Sequence, residues 1–416
     1  MNYNNYNKKR KSDNTTAYIA VFMAVLFVIS SVFTVICFCM WKKSQREYDE
    51  YRNQVTGGSD SELRKQIDAL TSEKEELEKK YNSLSEQYKR LLDGDGTSDP
   101  VKLREQIDEL QKELDERQKE IDELKERINN LMMNAPECEK IKSSLDELLK
   151  NGAPMKKVVT VNEDGSETEE YVYPNVAIYY QNLESGYSYS YNSDYVFKSA
   201  SCMKAPLALS IFLAAEKEDE EIANGLKSQE DRIYDFDRIF TYSEDKYKSG
   251  TGRIKKMPYG TQLTYYQLIE YMIRYSDCVA LKELLRVYKA TNLANLAHSL
   301  GTSAMKSNVG RATVSDAGRV MEAIYNYIEE GHKYSADFKS WLINSGHPVM
   351  IKGALPSKEV AHKYGWDIDS YNDWAIVYDG SPYVVAFMSD YDDGGAEFNA
   401  YVKKIVKLLD ELNGCL

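Results

Sequence analysis

No C-x-x-C pair and no Cys/His spacing suited to zinc occurs in this 416-residue chain, which has only four histidines and six cysteines. A structural metal is therefore not expected, and no cofactor motif takes its place. Basic residues are also short: 53 Lys and Arg stand against 66 Asp and Glu, a net charge of -13. Nucleic acid is excluded as a partner on that balance, because phosphates would be repelled and no dense basic face appears beyond a short N-terminal cluster. The length exceeds what one compact core holds and implies two or three units.

Charge is wholly missing from one stretch, AYIAVFMAVLFVISSVFTVICFCMW, residues 17–41. At ~1.5 Å per helical residue it outspans the roughly 30 Å of bilayer hydrocarbon, so it reads as a membrane helix. The run is too long for a signal-peptide core, no A-x-A-like site follows, and Ile36 stands where lipoprotein cleavage before Cys37 needs a small residue. Lys8, Lys9, Arg10 and Lys11 precede the span, against Lys42, Lys43 and Arg46 after it. The positive-inside rule then puts the N-terminus in the cytoplasm and the rest of a single-pass protein outside the cell.

Beyond the span, Leu63, Ile67, Leu70, Leu77, Tyr81, Leu84, Tyr88 and Leu91 fall alternately four and three apart, with one miss at Lys74. A second seam runs through Leu103, Ile107, Leu110, Leu114, Ile121, Leu124, Ile128 and Leu131. Stripes this narrow, set among Glu and Lys, predict a coiled coil. DGDGTSDP, residues 93–100, interrupts it: two glycines end one helix, and Asp99 with Pro100 begins the next. Either a parallel homodimer with an elbow or an intramolecular hairpin satisfies both seams.

A helix from Cys138 to Gly152 and two alternating strands around Asp164 and Gly165 carry no evident chemistry. The chain thus divides into a cytoplasmic tail (1–16), membrane helix (17–41), linker (42–60), coiled coil (61–133, broken at 93–100), connecting helix and hairpin (134–173) and a tyrosine-rich globular domain (174–416).

In that last domain FKSASCMKAP, residues 197–206, places Ser201 and Lys204 three apart where an apolar helix begins. S-x-x-K arises often by chance, and its weight depends on context. A hydroxyl is a poor nucleophile at its own pKa, but a lysine one turn away, with its pKa lowered by burial, suits the role of base. Two further segments follow: an amphipathic helix running into Ser276-Asp277-Cys278, and a strand carrying Lys363-Tyr364-Gly365 before two more strands.

Three motifs in this order and context resemble the penicillin-recognising serine hydrolases, most closely the class A β-lactamases, whose signatures are S-x-x-K, S-D-N and K-T-G. The resemblance covers roughly Pro174 to the C-terminus. It implies an α/β fold, an α+β sandwich with an antiparallel sheet flanked by helices, and a β-lactam or D-alanyl cell-wall peptide as ligand. It further implies that Ser201 is acylated, Lys204 activates it, and Ser276 passes a proton to the leaving nitrogen. Lys363 would attract the substrate carboxylate, Gly365 would leave room for substrate along the strand, and the N–H groups of Ser201 and Trp366 would form an oxyanion hole. The domain's first and last helices would pack antiparallel, bringing Cys138 near Cys415; a disulfide and two thiols both fit that arrangement.

The chain also departs from the pattern. Cys278 replaces an amide with a weak thiol, and Tyr364 replaces a small hydroxyl residue that would touch the substrate. Residues 300–321 are too short for the loop that holds a deacylating Glu in class A enzymes, and their first carboxylate is Asp316. Two functions fit: a membrane-tethered serine hydrolase with slow deacylation, or a non-catalytic module binding wall fragments or protein partners. Cys202, beside the nucleophile, reads as a small core residue.

Overall fold

The computed structural model describes residues 59–92, 100–133, 136–162, 164–391 and 395–415. The expected tail, the membrane helix at 17–41 and most of the linker lie outside the described residues. Among the described residues no helix is long and apolar enough to cross a membrane. The chain forms two units, residues 1–117 and 118–416.

α1 (Ser59–Leu92), in the first unit, begins two residues earlier than expected, and α2 (Pro100–Met133), whose residues up to Arg117 belong to that unit, opens on Pro100. Proline suits this place because the first turn of a helix has no use for its missing N–H. Leu63, Leu77, Leu103 and Leu114, all seam positions, are buried. Glu73 Oε2 of α1 lies 3.3 Å from Arg117 Nε of α2.

The second unit holds the site. Its elements are α3 (Pro136–Asn151), β1 (Lys156–Val161), β2 (Glu167–Val172), β3 (Val176–Asn182), β4 (Ser188–Tyr191), β5 (Phe197–Lys198), α4 (Lys204–Ala223), β6 (Ile239–Thr241) and β7 (Gln262–Thr264). There follow α5 (Tyr265–Arg274), α6 (Cys278–Tyr288), α7 (Thr291–Ser299), β8 (Arg311–Ala312), α8 (Val314–Glu329), α9 (Ser335–Ile343) and α10 (Ile351–Ala354). β9 (Glu359–Asp367), β10 (Ser370–Tyr378), β11 (Tyr383–Ser389) and α11 (Ala396–Gly414) complete it.

Five strands form one antiparallel sheet in the order β4-β3-β11-β10-β9. The central strands are apolar almost throughout, YVVAFMS in β11, because helices cover both faces and alternate side chains are all buried. On β3 the alternation is plain: Gln181 donates to Glu322 of α8 on one face, while Tyr180 and Asn182 point to α11 on the other.

The expected pairing of first and last helices is present. A Cβ on Gly152, just past α3, would sit 3.3 Å from Tyr401 near the start of α11, and the two helices run antiparallel. Cys138 and Cys415, both buried, therefore stand at adjoining helix ends.

Asn413 joins α11 to the sheet. Its Oδ1 accepts from Tyr180 Oη at 2.7 Å and Asn182 Nδ2 at 2.9 Å, and its Nδ2 donates to Ser381 O at 3.0 Å. Truncation leaves the buried Tyr180 Oη without its partner and takes one acceptor from Asn182 Nδ2, which keeps Ser381 Oγ at 2.8 Å; a buried polar group left unpaired costs about 1–3 kcal/mol where water cannot enter. Asn413→Ala is expected to lower the unfolding free energy by about 2–4 kcal/mol in urea titration.

Candidate active site

The nucleophile candidate is placed by a strained turn. Ser199 donates its N–H to Gly310 O (3.0 Å), Ala200 takes a left-handed φ of 46°, and Ala200–Met203 make one turn of 3-10 helix before α4 begins at Lys204. The sequence places Ser201 at the opening of the α-helix itself, and the structure differs. Pro206 has no N–H to give the carbonyl of Cys202, so the α-helical ladder cannot reach back that far. The tighter turn still serves the motif: in a 3-10 helix residues three apart eclipse, and Ser201 and Lys204 share a face.

Two fully buried lysines meet at Ser276. Lys204 Nζ and Lys363 Nζ each lie 3.1 Å from Ser276 Oγ. Lys204 Nζ also donates to Ser276 O (2.6 Å) and approaches Cys278 Sγ (3.8 Å), while Lys363 Nζ donates to Tyr364 O (2.9 Å). Burial holds the Lys204 ammonium below the ordinary lysine range. Burial first, and then the charge of Lys204, brings Lys363 down to about 7. With two donors filling its lone pairs, Ser276 Oγ has its own proton left to give. Among the described residues Ser201 Oγ has no such contact, and no hydrogen bond joins it to Lys204 Nζ.

Ser276 holds a left-handed φ of 51°, a conformation a serine keeps only when its surroundings impose it. Those surroundings include residues the sequence did not single out. Thr251 Oγ1 donates to Ser276 O at 2.6 Å, beside the bond from Lys204. Asp277 Oδ1 caps α6 by accepting from Val279 N and Ala280 N, and its Oδ2 accepts from Arg253 N (2.7 Å) and Ile254 N (2.8 Å). Aspartate just before an apolar-periodic helix is a legible N-cap signal; its second role, fastening a distant loop, carries no sequence signal.

The remaining candidates fall around this centre. Cys278 Sγ, partly exposed, lies 3.5 Å from Thr251 Oγ1. The Tyr364 ring sits between Lys363 Nζ, 4.1 Å from its centroid, and His347, at 4.8 Å. The Trp366 side chain is 53% exposed at the rim. Cys202 is a core residue, its buried thiol pushed up in pKa and donating to Lys363 O at 3.1 Å. Gly365 of β9 lies against the Ser201 turn. A Cβ there would lie 2.8 Å from Ser199 O and Cys202 N, so the room belongs to the Ser201 turn, which packs directly on β9.

Two aspartates, one in the second motif and one in the short segment after it, are committed to structure. Asp277 is filled as described, and buried Asp316 accepts from the N–H groups of Ser303 (2.6 Å), Ala304 (2.9 Å), Met305 (3.2 Å) and Thr313 (3.3 Å), shaping the short loop before α8.

Gly365→Ala should displace the Ser201 turn. Its expected outcome is a domain less stable by about 1–3 kcal/mol, the usual cost of overpacking, with loss of any covalent labelling at Ser201. Lys363→Met tests the buried charge. A lysine with a lowered folded pKa destabilises most where both states are protonated, below about 7, and the cost fades as pH rises toward the unfolded lysine value. The variant should therefore gain more thermal stability, relative to the parent, at pH about 6 than at pH about 10.

Solved structures share this fold. A beta-lactamase from Streptosporangium roseum matches with a TM-score of 0.52 at 15% sequence identity, over 67% of this chain and 99% of that one. One from Sphaerobacter thermophilus matches with a TM-score of 0.50 at 16% identity, over 66% and 97%. PBP-A, in a variant captured as an acyl-enzyme complex with penicillin G, matches with a TM-score of 0.50 at 17% identity, over 65% and 95%. At such identities the likeness is one of fold. No curated protein matches the chain. The model of the beta-lactamase enzyme family matches residues 167–411, well over half of the sequence and all of the site, and the chain belongs to that family.

Proposed function

We propose that the protein is a membrane-anchored serine hydrolase whose extracellular domain forms an acyl-enzyme on Ser201 with a β-lactam or a D-alanyl peptide of the cell wall, and releases it slowly. The observation that carries this reading is the convergence of Lys204 and Lys363 on Ser276 Oγ, with Lys204 one turn from Ser201. Burial favours the neutral amine of Lys204, whose lone pair takes the Ser201 proton as Oγ bonds to the substrate carbonyl carbon. The oxyanion is held by the N–H groups of Ser201 and Trp366. The carbon–nitrogen bond then breaks as Ser276 gives its proton to the leaving nitrogen and is reprotonated from the lysine pair. That PBP-A, on the same fold, is known as a penicillin acyl-enzyme supports this course.

Slow release follows from the committed carboxylates: with Asp277 and Asp316 saturated by backbone N–H groups, neither is placed to activate water against the ester. The charge-free run at 17–41 supports the anchor. For the stalk we favour a coiled-coil hairpin over a homodimer, because Glu73 and Arg117, which pair, stand nearly equal distances from the break at 93–99.

A second reading, a non-catalytic module that binds wall fragments or protein partners, is favoured by the missing Ser201–Lys204 hydrogen bond and by Cys278 and Tyr364. Catalytic contacts often tighten only once substrate is bound, so the first reading is preferred.

Incubation with penicillin followed by mass spectrometry decides between them. A stable adduct on Ser201, absent from Ser201→Ala, is expected, with negligible turnover of a chromogenic cephalosporin. The labelling rate should rise with pH, as Lys204, its pKa lowered by burial, loses its proton and supplies the neutral amine. No adduct at any concentration would leave the binding module; rapid turnover would refute slow release.

A further inference from the structure

Residues 246–256 read KYKSGTGRIKK: Lys246, Lys248, Arg253, Lys255 and Lys256, with no carboxylate among them, in a chain of net charge -13. From sequence these cations are diluted by Ser, Gly and Tyr and do not register as a basic face. In the fold they gather beside the site. Elsewhere in the domain Lys227, Arg232, Arg286, Lys333 and Lys358 each pair with an acidic side chain. Among the described residues none of the five loop cations forms a salt bridge, and only Lys246 interacts with carboxylates, those of Asp245 and Glu283. Lys255 Nζ donates to Gly250 O, Lys246 Nζ to Thr241 O (3.1 Å), and the Arg253 guanidinium lies 3.7 Å from the Tyr275 ring centroid. Lys248 and Lys256 are exposed and touch no polar partner among the described residues. A sixth cation, Lys282 of α6, donates to Asp245 O (2.9 Å) at the foot of the loop.

The loop is rigidly tied to the site. Asp277 holds Arg253 N and Ile254 N, and Cys278 N donates to Thr251 O at 3.1 Å. Gly252, at φ 121°, permits the approach: a Cβ there would lie 2.3 Å from Asp277 Oδ2. Five cations on one loop, with no salt bridge among the described residues, leave positive charge for an anionic ligand to neutralise.

We propose that this loop is a docking site for an acidic peptide strand, which it presents to Ser201; the presentation, though not the docking, rests on the acyl-enzyme reading above. Four of the five cations are lysines and the one arginine lies against a tyrosine ring, so the loop offers dispersed point charges rather than a fork for a single phosphate. Dispersed charges suit carboxylates spaced along a chain. Exposed Tyr247, within the loop, and Tyr259, just past it, add apolar surface for peptide side chains.

The test is fluorescence anisotropy of the full chain with labelled polyglutamate, with polyphosphate as a second probe. Polyglutamate should bind, and binding should weaken about 10-fold between roughly 50 and 200 mM salt, as expected for exposed charges. Lys248→Glu with Lys256→Glu should weaken it about 10-fold further with an unchanged near-ultraviolet circular dichroism spectrum. The same charge change made away from the loop, Lys140→Glu with Lys407→Glu, should weaken it far less. Ser201→Ala should bind polyglutamate like the parent, so failure of the acyl-enzyme chemistry would leave this result standing. Equal weakening by both double variants, salt-insensitive binding, tighter binding of polyphosphate, or no polyglutamate binding at low salt would overturn the proposal.

Discussion

Everything around the site depends on holding two lysine ammoniums in a dry interior, both aimed at one hydroxyl. Burying one such charge is costly, and burying two within reach of the same oxygen is more so, since the charge of Lys204 adds to burial in lowering the proton affinity of Lys363. The fold meets the cost with fixed acceptors: Ser276 O, Ser276 Oγ and Tyr364 O. Ser276 can serve only because its backbone is bent into the left-handed region and held there, with Thr251 adding a second donor to its carbonyl. The strain, the burial and the lowered lysine pKa values are one arrangement, kept at a cost in stability.

Aspartates supply the framework instead of the chemistry. Asp277 stitches the loop at 253–254 to the start of α6, and Asp316 gathers the backbone of 303–305 and 313. Each is saturated by N–H donors, which stabilises its charge while removing the lone pairs that a general base would need. The same commitment that makes the site rigid underlies the proposed persistence of an acyl-enzyme. It also fastens the basic loop to the edge of the site, so that a locally positive surface arises on an acidic protein.

Much of this was legible in the sequence, for physical reasons that differ by element. The strands after Lys363, the helix before Ser276 and the long helices α1 and α2 announce themselves by periodicity, because burial of a face or stripe is a local property of the chain. The three motifs in order picked out Ser201, Lys204, Ser276 and Lys363, since side-chain chemistry at short spacing is also local. α1 starts two residues before, and α4 three residues after, the positions that the apolar pattern marks. In the second case a proline outweighed the apolar pattern.

Sequence alone thus determined the fold class, the antiparallel sheet with its flanking helices, and the identity of Ser201, Lys204, Ser276 and Lys363 as a group. Only the tertiary structure decided how they meet: that both lysines address Ser276, that Ser201 stands on a 3-10 turn, that Gly365 packs against that turn, and that Thr251 and His347 lie beside the site. Such contacts join residues far apart in the chain: Lys363 lies 87 positions from Ser276, whose hydroxyl it meets, and 161 from Cys202, whose thiol bonds to its carbonyl. Nothing in the local pattern of a chain reports a meeting at such range, because it arises from how helices and sheet pack, and packing is settled by the whole domain at once.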